Sequence, residues 1–156
     1  MGGDIVELEA GTGWWSRHLA AKGRLTVCDI SPEMFGLARS RLQSVGLAAD
    51  FEIRDNWAEP DRQVDGLFAG FWLSHVSRER LPALLSLVKR WLLPGGVFAL
   101  LGSRRDQASG ATDHQPPAND VQLRRLNNGR TFRVRKVYYS PAELEVAQLP
   151  ACTASE

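Results

Sequence analysis

Cysteine, net charge and long apolar runs are all scarce in this sequence. Its 156 residues include two cysteines, Cys28 and Cys152, which are too few for a disulfide framework and have no metal-like partner nearby. We expect Cys28 to be a small hydrophobic residue buried in a strand. The net charge of +1 provides no field to attract nucleic acid or an anionic membrane. A small-molecule or protein partner is therefore favoured, and a nucleic-acid partner is not expected.

The apolar runs are too short to cross a membrane. The longest, over 64–73 and 97–101, fall well below the roughly 20 residues that a spanning helix needs. The first residues, Met-Gly-Gly-Asp, do not show the basic segment and apolar stretch of a secretory signal. We expect a cytoplasmic protein without membrane contact, and a chain of this length fits one domain.

Strand-like and helix-like patterns alternate along the first hundred residues. Alternation of this kind predicts a parallel sheet with right-handed crossovers, and so a doubly wound α/β fold. Ser31 and Pro32 mark the start of one helix, and Gly46 marks its end. The predicted strands cover 4–8, 25–28, 51–53, 64–71 and 97–101, and the predicted helices cover 14–21, 32–45 and 78–92.

The remainder of the chain has a different character. Residues 1–103 form the predicted ligand-binding core, and the polar, proline-containing stretch 104–120 predicts a flexible loop. Two alternating segments flank Asn127-Asn128-Gly129 and predict a β-hairpin. A short helix is expected after Ser140-Pro141, so that 121–149 packs on the same domain and 150–156 forms a disordered tail.

A glycine loop, Gly11-Thr12-Gly13, separates the first strand from the first helix. In doubly wound folds, the loop that leaves the first strand lies at the crevice where ligands bind. Asp29 ends the second strand, where an acid can accept the two hydroxyls of a ribose. These features indicate an adenosine-containing ligand. The alternative is a tight strand-to-helix turn with a helix-capping aspartate.

Five motifs occur in a specific order: "VELEAGTGWW", "VCDISPEM", "RDNW", "GFWLSHV" and "LLPGGVF". In order and spacing they resemble the S-adenosylmethionine (SAM)-dependent methyltransferases of the Rossmann-like class. "GFWLSHV" is similar to a branch of small bacterial members whose substrates are mostly small molecules. The resemblance implies SAM as cofactor, S-adenosylhomocysteine (SAH) as product, and methyl transfer to a small-molecule acceptor.

The resemblance also implies which residues hold SAM. Glu7 would hold its amino-acid part, the glycine loop would let it approach the backbone, and Asp29 would accept both ribose hydroxyls. Asp55 would bind the adenine amino group. The full implied set is Glu7, Glu9, Gly11, Thr12, Gly13, Trp15, Asp29, Ile30 and Met34 (flanking the adenine), Asp55, Asn56 and Trp57 (beside the ring), and Gly70 and Phe71 (passing the methionine moiety).

The chain departs from the family pattern at two positions near the loop. Glu9 stands where the family usually has Gly or Ala, and Trp15 stands where Gly is frequent. The Glu9 carboxylate is expected either to crowd or repel the cofactor's carboxylate, or to turn away and pair with an arginine such as Arg17.

The ends of the chain also depart from the family. Members carry helices before the first strand that cover the cofactor, and they finish with an antiparallel strand pair. We expect this chain to be shortened at both ends, which leaves the fifth strand as an edge. Either the hairpin folds along that edge or the edge pairs with a second copy, and we expect a homodimer.

His75, just beyond the fourth strand, is the candidate catalytic residue. It is either a general base for the acceptor or a ring that hydrogen-bonds the backbone and orders the loop. No metal ligands are predicted. Trp14, Trp15 and Trp72 either wall a pocket or belong to the core, and the core is the favoured interpretation.

Two other functions remain open from the sequence. One is a non-catalytic interaction module that keeps the methyltransferase-like core. The other is a nicotinamide-dinucleotide binder, which fits less well because Ser16 occupies the place of the third glycine of its fingerprint.

Overall fold

A five-stranded parallel sheet forms the centre of the protein. The computed structural model describes residues 3–102, 120–125 and 128–146, so the predicted loop (except Asp120) and the predicted tail lie outside the described residues. The strand order is β3-β2-β1-β4-β5, which confirms the doubly wound α/β prediction. The strands are β1 (Asp4–Leu8), β2 (Arg24–Asp29), β3 (Asp50–Ile53), β4 (Val64–Gly70) and β5 (Leu92–Leu101).

Helices cover both faces of this sheet. On one face, α1 (Ser16–Ala20) and α2 (Pro32–Gln43) pack over a cluster that includes Leu25, Val27 and Phe35. On the other face, α3 (Leu81–Trp91) closes a larger core that includes Val6, Leu67 and Trp91. Successive residues of a strand point to opposite faces. For this reason β1 contributes to both clusters, with Val6 in the larger core and Ile5 packed against the other cluster.

Three predicted boundaries were wrong by a few residues. Helix α1 begins at Ser16 rather than at residue 14, because turns occupy 11–15 after the glycine loop. The predicted helix 78–92 begins as a 3-10 turn over Arg78–Arg80, and its α-helical part starts beside Pro82, which has no N–H to donate. The predicted turn at 93–96 lies inside β5 as an irregularity of its pairing with β4, with Gly95 at φ +83°.

The predicted hairpin and final helix are confirmed. Strands β6 (Val121–Arg125) and β7 (Thr131–Arg135) pair antiparallel, and α4 covers Pro141–Val146. The hairpin is a separate two-stranded sheet and does not extend the five-stranded one along β5. It joins the domain beyond the end of β4, where the Val137 N–H donates to the Ser74 carbonyl oxygen at 2.8 Å. Among the described residues, no helix has the length and apolar character needed to cross a bilayer.

Candidate functional site

The glycine loop and Asp29 form one hydrogen-bonded unit at the carboxyl edge of the sheet. Asp29 accepts from the Gly11 N–H at 2.8 Å and, through its other oxygen, from the Ser31 N–H at 2.9 Å. Gly11 has φ +53°, a backbone conformation that favours glycine, and a Cβ built there would meet no atom within 4 Å. The loop is therefore held in place by Asp29 and faces open space that a ligand can enter.

A cavity of about 370 Å³ lies beside this loop. It opens where β1 and β4, the two central strands, end. Five predicted cofactor-binding residues line it, together with two further residues. The lining residues are Glu7, Glu9, Ala10, Trp14, Trp15, Gly70 and Phe71.

Glu7 is a buried carboxyl group in the wall of this cavity. Its side chain is almost fully buried within β1, and the Ser16 hydroxyl donates a hydrogen bond to it. Burial raises the pKa of Glu7 to about 7, and the Ser16 hydrogen bond opposes that rise. In the sequence Ser16 was notable only because it stands where a dinucleotide-binding fingerprint has its third glycine. In the structure it hydrogen-bonds Glu7, near the end of β1.

Glu9 points into the same cavity from a strained backbone. Its φ is +51°, an uncommon value for a residue with a side chain, and its N–H donates to Asn56 Oδ1 at 3.4 Å. Burial raises its pKa, and the nearby Asp29 carboxylate raises it further. Among the ion pairs of the described residues none includes Glu9, so the predicted pairing with Arg17 is not observed. Arg17 instead lies over the Trp14 ring.

Of the three tryptophans, two line the cavity and one belongs to the core. Trp14 is 54% exposed and lines the cavity, so its assignment to the core was wrong. Trp15 also lines the cavity and packs against Phe68, with 6.2 Å between ring centroids. Trp72 is buried against Trp57 at 5.5 Å, as the core interpretation predicted. The aromatic walls therefore come from the turn before α1, with Trp14 and Trp15, and from Phe71 after β4.

The residues predicted to surround the adenine lie along the same edge but outside the cavity lining. Ile30 is exposed and Met34 is half-buried at the start of α2. Asp55 is exposed, and its carboxylate accepts from the Trp57 N–H at 2.9 Å. The Trp57 ring is covered by the Arg80 guanidinium at 3.7 Å and packs against the core under α3. An adenine-binding role for these residues stays a prediction.

Phe71 and His75 follow the carboxyl end of β4. Phe71 has φ +62°, and its carbonyl oxygen accepts from the Ser74 hydroxyl at 2.7 Å. The buried Lys136 ammonium donates to that same hydroxyl at 3.1 Å. His75 Nδ1 lies 3.0 Å from the Arg135 carbonyl oxygen, which can only accept, so Nδ1 carries the proton and Nε2 is the basic nitrogen. His75 is not among the residues that line the cavity.

Sequence reasoning missed two supports of this site. Arg41 of α2 reaches Thr12 of the loop, and its Nη1 donates to the Thr12 carbonyl oxygen at 2.9 Å and to Oγ1 at 2.6 Å. Lys136 and Ser74 are the second pair, 62 positions apart in the chain. The sequence indicates the Arg41–Thr12 contact only by placing an arginine within the predicted helix α2. No local pattern predicts the Lys136–Ser74 contact.

The charges of the cavity favour a cationic ligand group over a phosphate. Glu7, which is ionised above its pKa of about 7, and Glu9 line it, and no lysine, arginine or histidine of the described ranges does so. A pyrophosphate would be repelled by such a lining, whereas an ammonium or sulfonium group would be attracted. Together with the two oxygens of Asp29 near the loop, this arrangement fits the amino-acid end and the ribose of SAM. It does not fit a nicotinamide dinucleotide.

Comparison with curated proteins finds methyltransferases. The ubiquinone/menaquinone biosynthesis C-methyltransferase UbiE of Enterobacter sp. (strain 638) is 31% identical over 108 residues, which cover 64% of this chain and 42% of that protein. The protein of the same name from Escherichia fergusonii matches with the same identity and coverage. The chain thus spans about two fifths of the length of these relatives.

Comparison with solved structures also finds proteins bound to SAM or SAH. A DhpI–SAH complex has a TM-score of 0.74 and 35% identity, covering 92% of this chain and 64% of that one. A DhpI complex with SAM and HEP has a TM-score of 0.74 and 34% identity, covering 92% and 66% of the two chains. The PH0226 protein of Pyrococcus horikoshii OT3, at 18% identity and a TM-score of 0.71, shares the fold; the match covers 94% of this chain and 71% of that one.

The strand order, the glycine loop and the acid at the end of β2 define a Rossmann-like domain of the class I, SAM-dependent methyltransferase type. The methyltransferase-domain family matches residues 5–96, more than half of the chain. The chain belongs to this family, as the motifs predicted, and SAM is the family's cofactor.

Proposed function

We propose that the protein binds SAM and transfers its methyl group to a small-molecule acceptor. The observation that carries the proposal is the carboxylate-lined cavity beside the Gly11 loop and Asp29. SAM supplies an electrophilic methyl group on a positively charged sulfur. In this proposal Glu7 holds the amino-acid end and Asp29 accepts the ribose hydroxyls. The adenine is surrounded by Asp55, Asn56, Trp57, Ile30 and Met34.

The names of the relatives support a small acceptor, and those of the curated relatives specify carbon as its reactive atom. The curated relatives are named as C-methyltransferases of ubiquinone/menaquinone biosynthesis, and DhpI is seen in a complex with SAM and HEP. A screen that follows SAH formation should therefore include hydroxyl, carboxyl, amine and carbon acceptors.

Titration calorimetry tests cofactor binding directly. The wild-type protein should bind SAM and SAH at a 1:1 ratio. Asp29→Asn keeps the shape of the side chain but removes its charge and one acceptor oxygen, and it should weaken binding by about 2 kcal/mol, because the hydrogen bonds to the ribose lose their charge assistance. Asp50→Asn is the matched control, because Asp50 begins the neighbouring strand β3 and so lies at the opposite edge of the sheet from Asp29. This variant should bind as wild type.

Thermal unfolding of both variants separates a binding defect from a folding defect. If the wild-type protein gives no heat and no thermal shift with millimolar SAM or SAH, the proposal is wrong for this chain. If Asp29→Asn binds as tightly as wild type, the cofactor does not use Asp29.

A non-catalytic interaction module is the second candidate. Glu9 favours it, because a carboxylate stands in the cavity where the family usually has Gly or Ala. This function predicts a folded protein that forms no SAH with any acceptor, even where SAM binds. Turnover with any one acceptor would exclude it.

A further inference from the structure

Glu9 occupies a position in the cavity that constrains both backbone and charge. It follows β1 directly, in the left-handed region at φ +51°, and its N–H is tied to the buried Asn56. This conformation is strained for a residue with a Cβ, and Gly would avoid the strain. The backbone thus holds the Glu9 side chain at the cavity wall.

The surroundings of Glu9 concentrate negative charge. Glu7 lines the same cavity, and Asp29 and Asp55 lie close enough to raise the pKa of Glu9. Within the described ranges no ion pair neutralises Glu9, and no cationic side chain joins it in the lining. A ligand that brings a positive charge into this cavity gains attraction that an uncharged ligand does not.

We propose that Glu9 makes the cavity select the positively charged methyl donor over its uncharged-sulfur product. The inference rests on the proposed function. SAM carries a sulfonium, an ammonium and a carboxylate, for a net charge of +1, whereas SAH lacks the sulfonium charge and is neutral overall. Transfer of the methyl group removes the charge that Glu9 attracts, so the product is held less tightly than the donor.

Calorimetry at pH 8 tests this selection with three ligands. They are SAM, SAH, and sinefungin, which carries an amine in place of the sulfonium. In Glu9→Gln the preference for SAM over SAH, measured as the ratio of the two Kd values, should fall roughly two- to fivefold, since one charge interaction at an exposed site is lost. Sinefungin should weaken in parallel with SAM. The Kd of SAH should stay within about twofold.

Glu59→Gln is the matched control. It makes the same chemical change and lowers the negative charge by the same amount, at an exposed carboxylate paired with Arg90 outside the cavity. Its SAM-to-SAH ratio should equal that of wild type. Raising the salt concentration should reduce the wild-type preference and leave that of Glu9→Gln nearly unchanged.

The possible outcomes distinguish this inference from the proposed function. An unchanged SAM-to-SAH ratio in Glu9→Gln, with the variant folded by thermal unfolding, overturns the inference while the proposed function stands. Tighter binding of both ligands in Glu9→Gln also overturns it, because Glu9 then repels the shared carboxylate. If wild type binds none of the three ligands, the proposed function itself fails, and the inference with it.

Discussion

The acid that ends β1 makes stability depend on pH. Glu7 has a pKa of about 7 in the folded protein and 4.5 as its ordinary value, so between these pH values the unfolded chain releases a proton that the folded protein keeps. The stabilising effect of the protonated form is complete below pH 4.5 and is lost as pH rises to 7. The loss is on the order of 3 kcal/mol.

Urea unfolding of the wild-type protein and of Glu7→Gln, at pH 5 and at pH 7.5, measures this effect. The glutamine is neutral at both pH values, so the variant should gain stability relative to wild type at the higher pH. If the difference in stability between the two proteins is the same at pH 5 and at pH 7.5, Glu7 is already ionised in the folded protein at pH 5 and its pKa is not raised.

His75 allows its two interpretations to be separated by one substitution. The amide nitrogen of an asparagine occupies the place of Nδ1, so His75→Asn retains the donor to the Arg135 carbonyl oxygen and removes the basic Nε2. If His75 is the general base, kcat should fall by about 10² to 10⁴ and the pH profile should lose its acidic limb. Full activity in His75→Asn would make the histidine a structural residue.

Among the elements of the fold, the glycine loop packs tightly against α2 at Gly13 and is open to the surroundings at Gly11. A Cβ on Gly13, which has φ +70°, would lie 2.5 Å from the Cβ of Ala38 and 2.8 Å from its Cα. Gly13→Ala should therefore cost about 2–4 kcal/mol of stability, since both the backbone and the helix must shift.

Two alanine substitutions provide matched controls for Gly13→Ala in urea unfolding. Gly11→Ala shares the positive φ but meets no atom, so it should cost only about 1 kcal/mol. Gly36→Ala, within α2 and in open space, should stabilise by about 0.5–1 kcal/mol. Equal effects of the Gly13 and Gly11 substitutions would show that packing against α2 is not limiting.

At the scale of the whole molecule, β5 is the edge that predicts association. It ends the five-stranded sheet, the hairpin β6–β7 does not pair with it, and Val97 on this strand is 64% exposed. Natural sheets seldom leave an apolar edge strand uncovered. We therefore expect a homodimer, twice the 17.3 kDa of one chain, by light scattering after size exclusion.

Val97→Lys should convert this dimer to a monomer, because a charged residue on an edge strand opposes pairing. Leu37→Lys, at an exposed position on α2, is the control and should stay dimeric. A wild-type protein that elutes as a monomer across micromolar concentrations would contradict the prediction.

Local patterns of residues predicted the order of the elements and the glycine loop beside the cavity. Apolar runs, two turn-forming glycines and the acids at strand ends are local features, so they predicted β1 to β4, Asp29 and Glu7 within a residue or two. The burial of Cys28 also followed from its strand and is confirmed, and burial raises its pKa to about 12. Such features depend on neighbours within a few positions along the chain.

The residues that surround the cavity depend on the packing of segments that are distant in the sequence. The Glu9 side chain turns into it because its backbone is held at positive φ, and Trp14 lines it because a turn delays the start of α1. The Lys136–Ser74 contact joins residues 62 positions apart, and Arg41 reaches the loop from a different helix. These contacts form when distant segments pack together, so no local pattern of residues encodes them, whereas the strands and the loop follow from short-range sterics and hydrophobic periodicity.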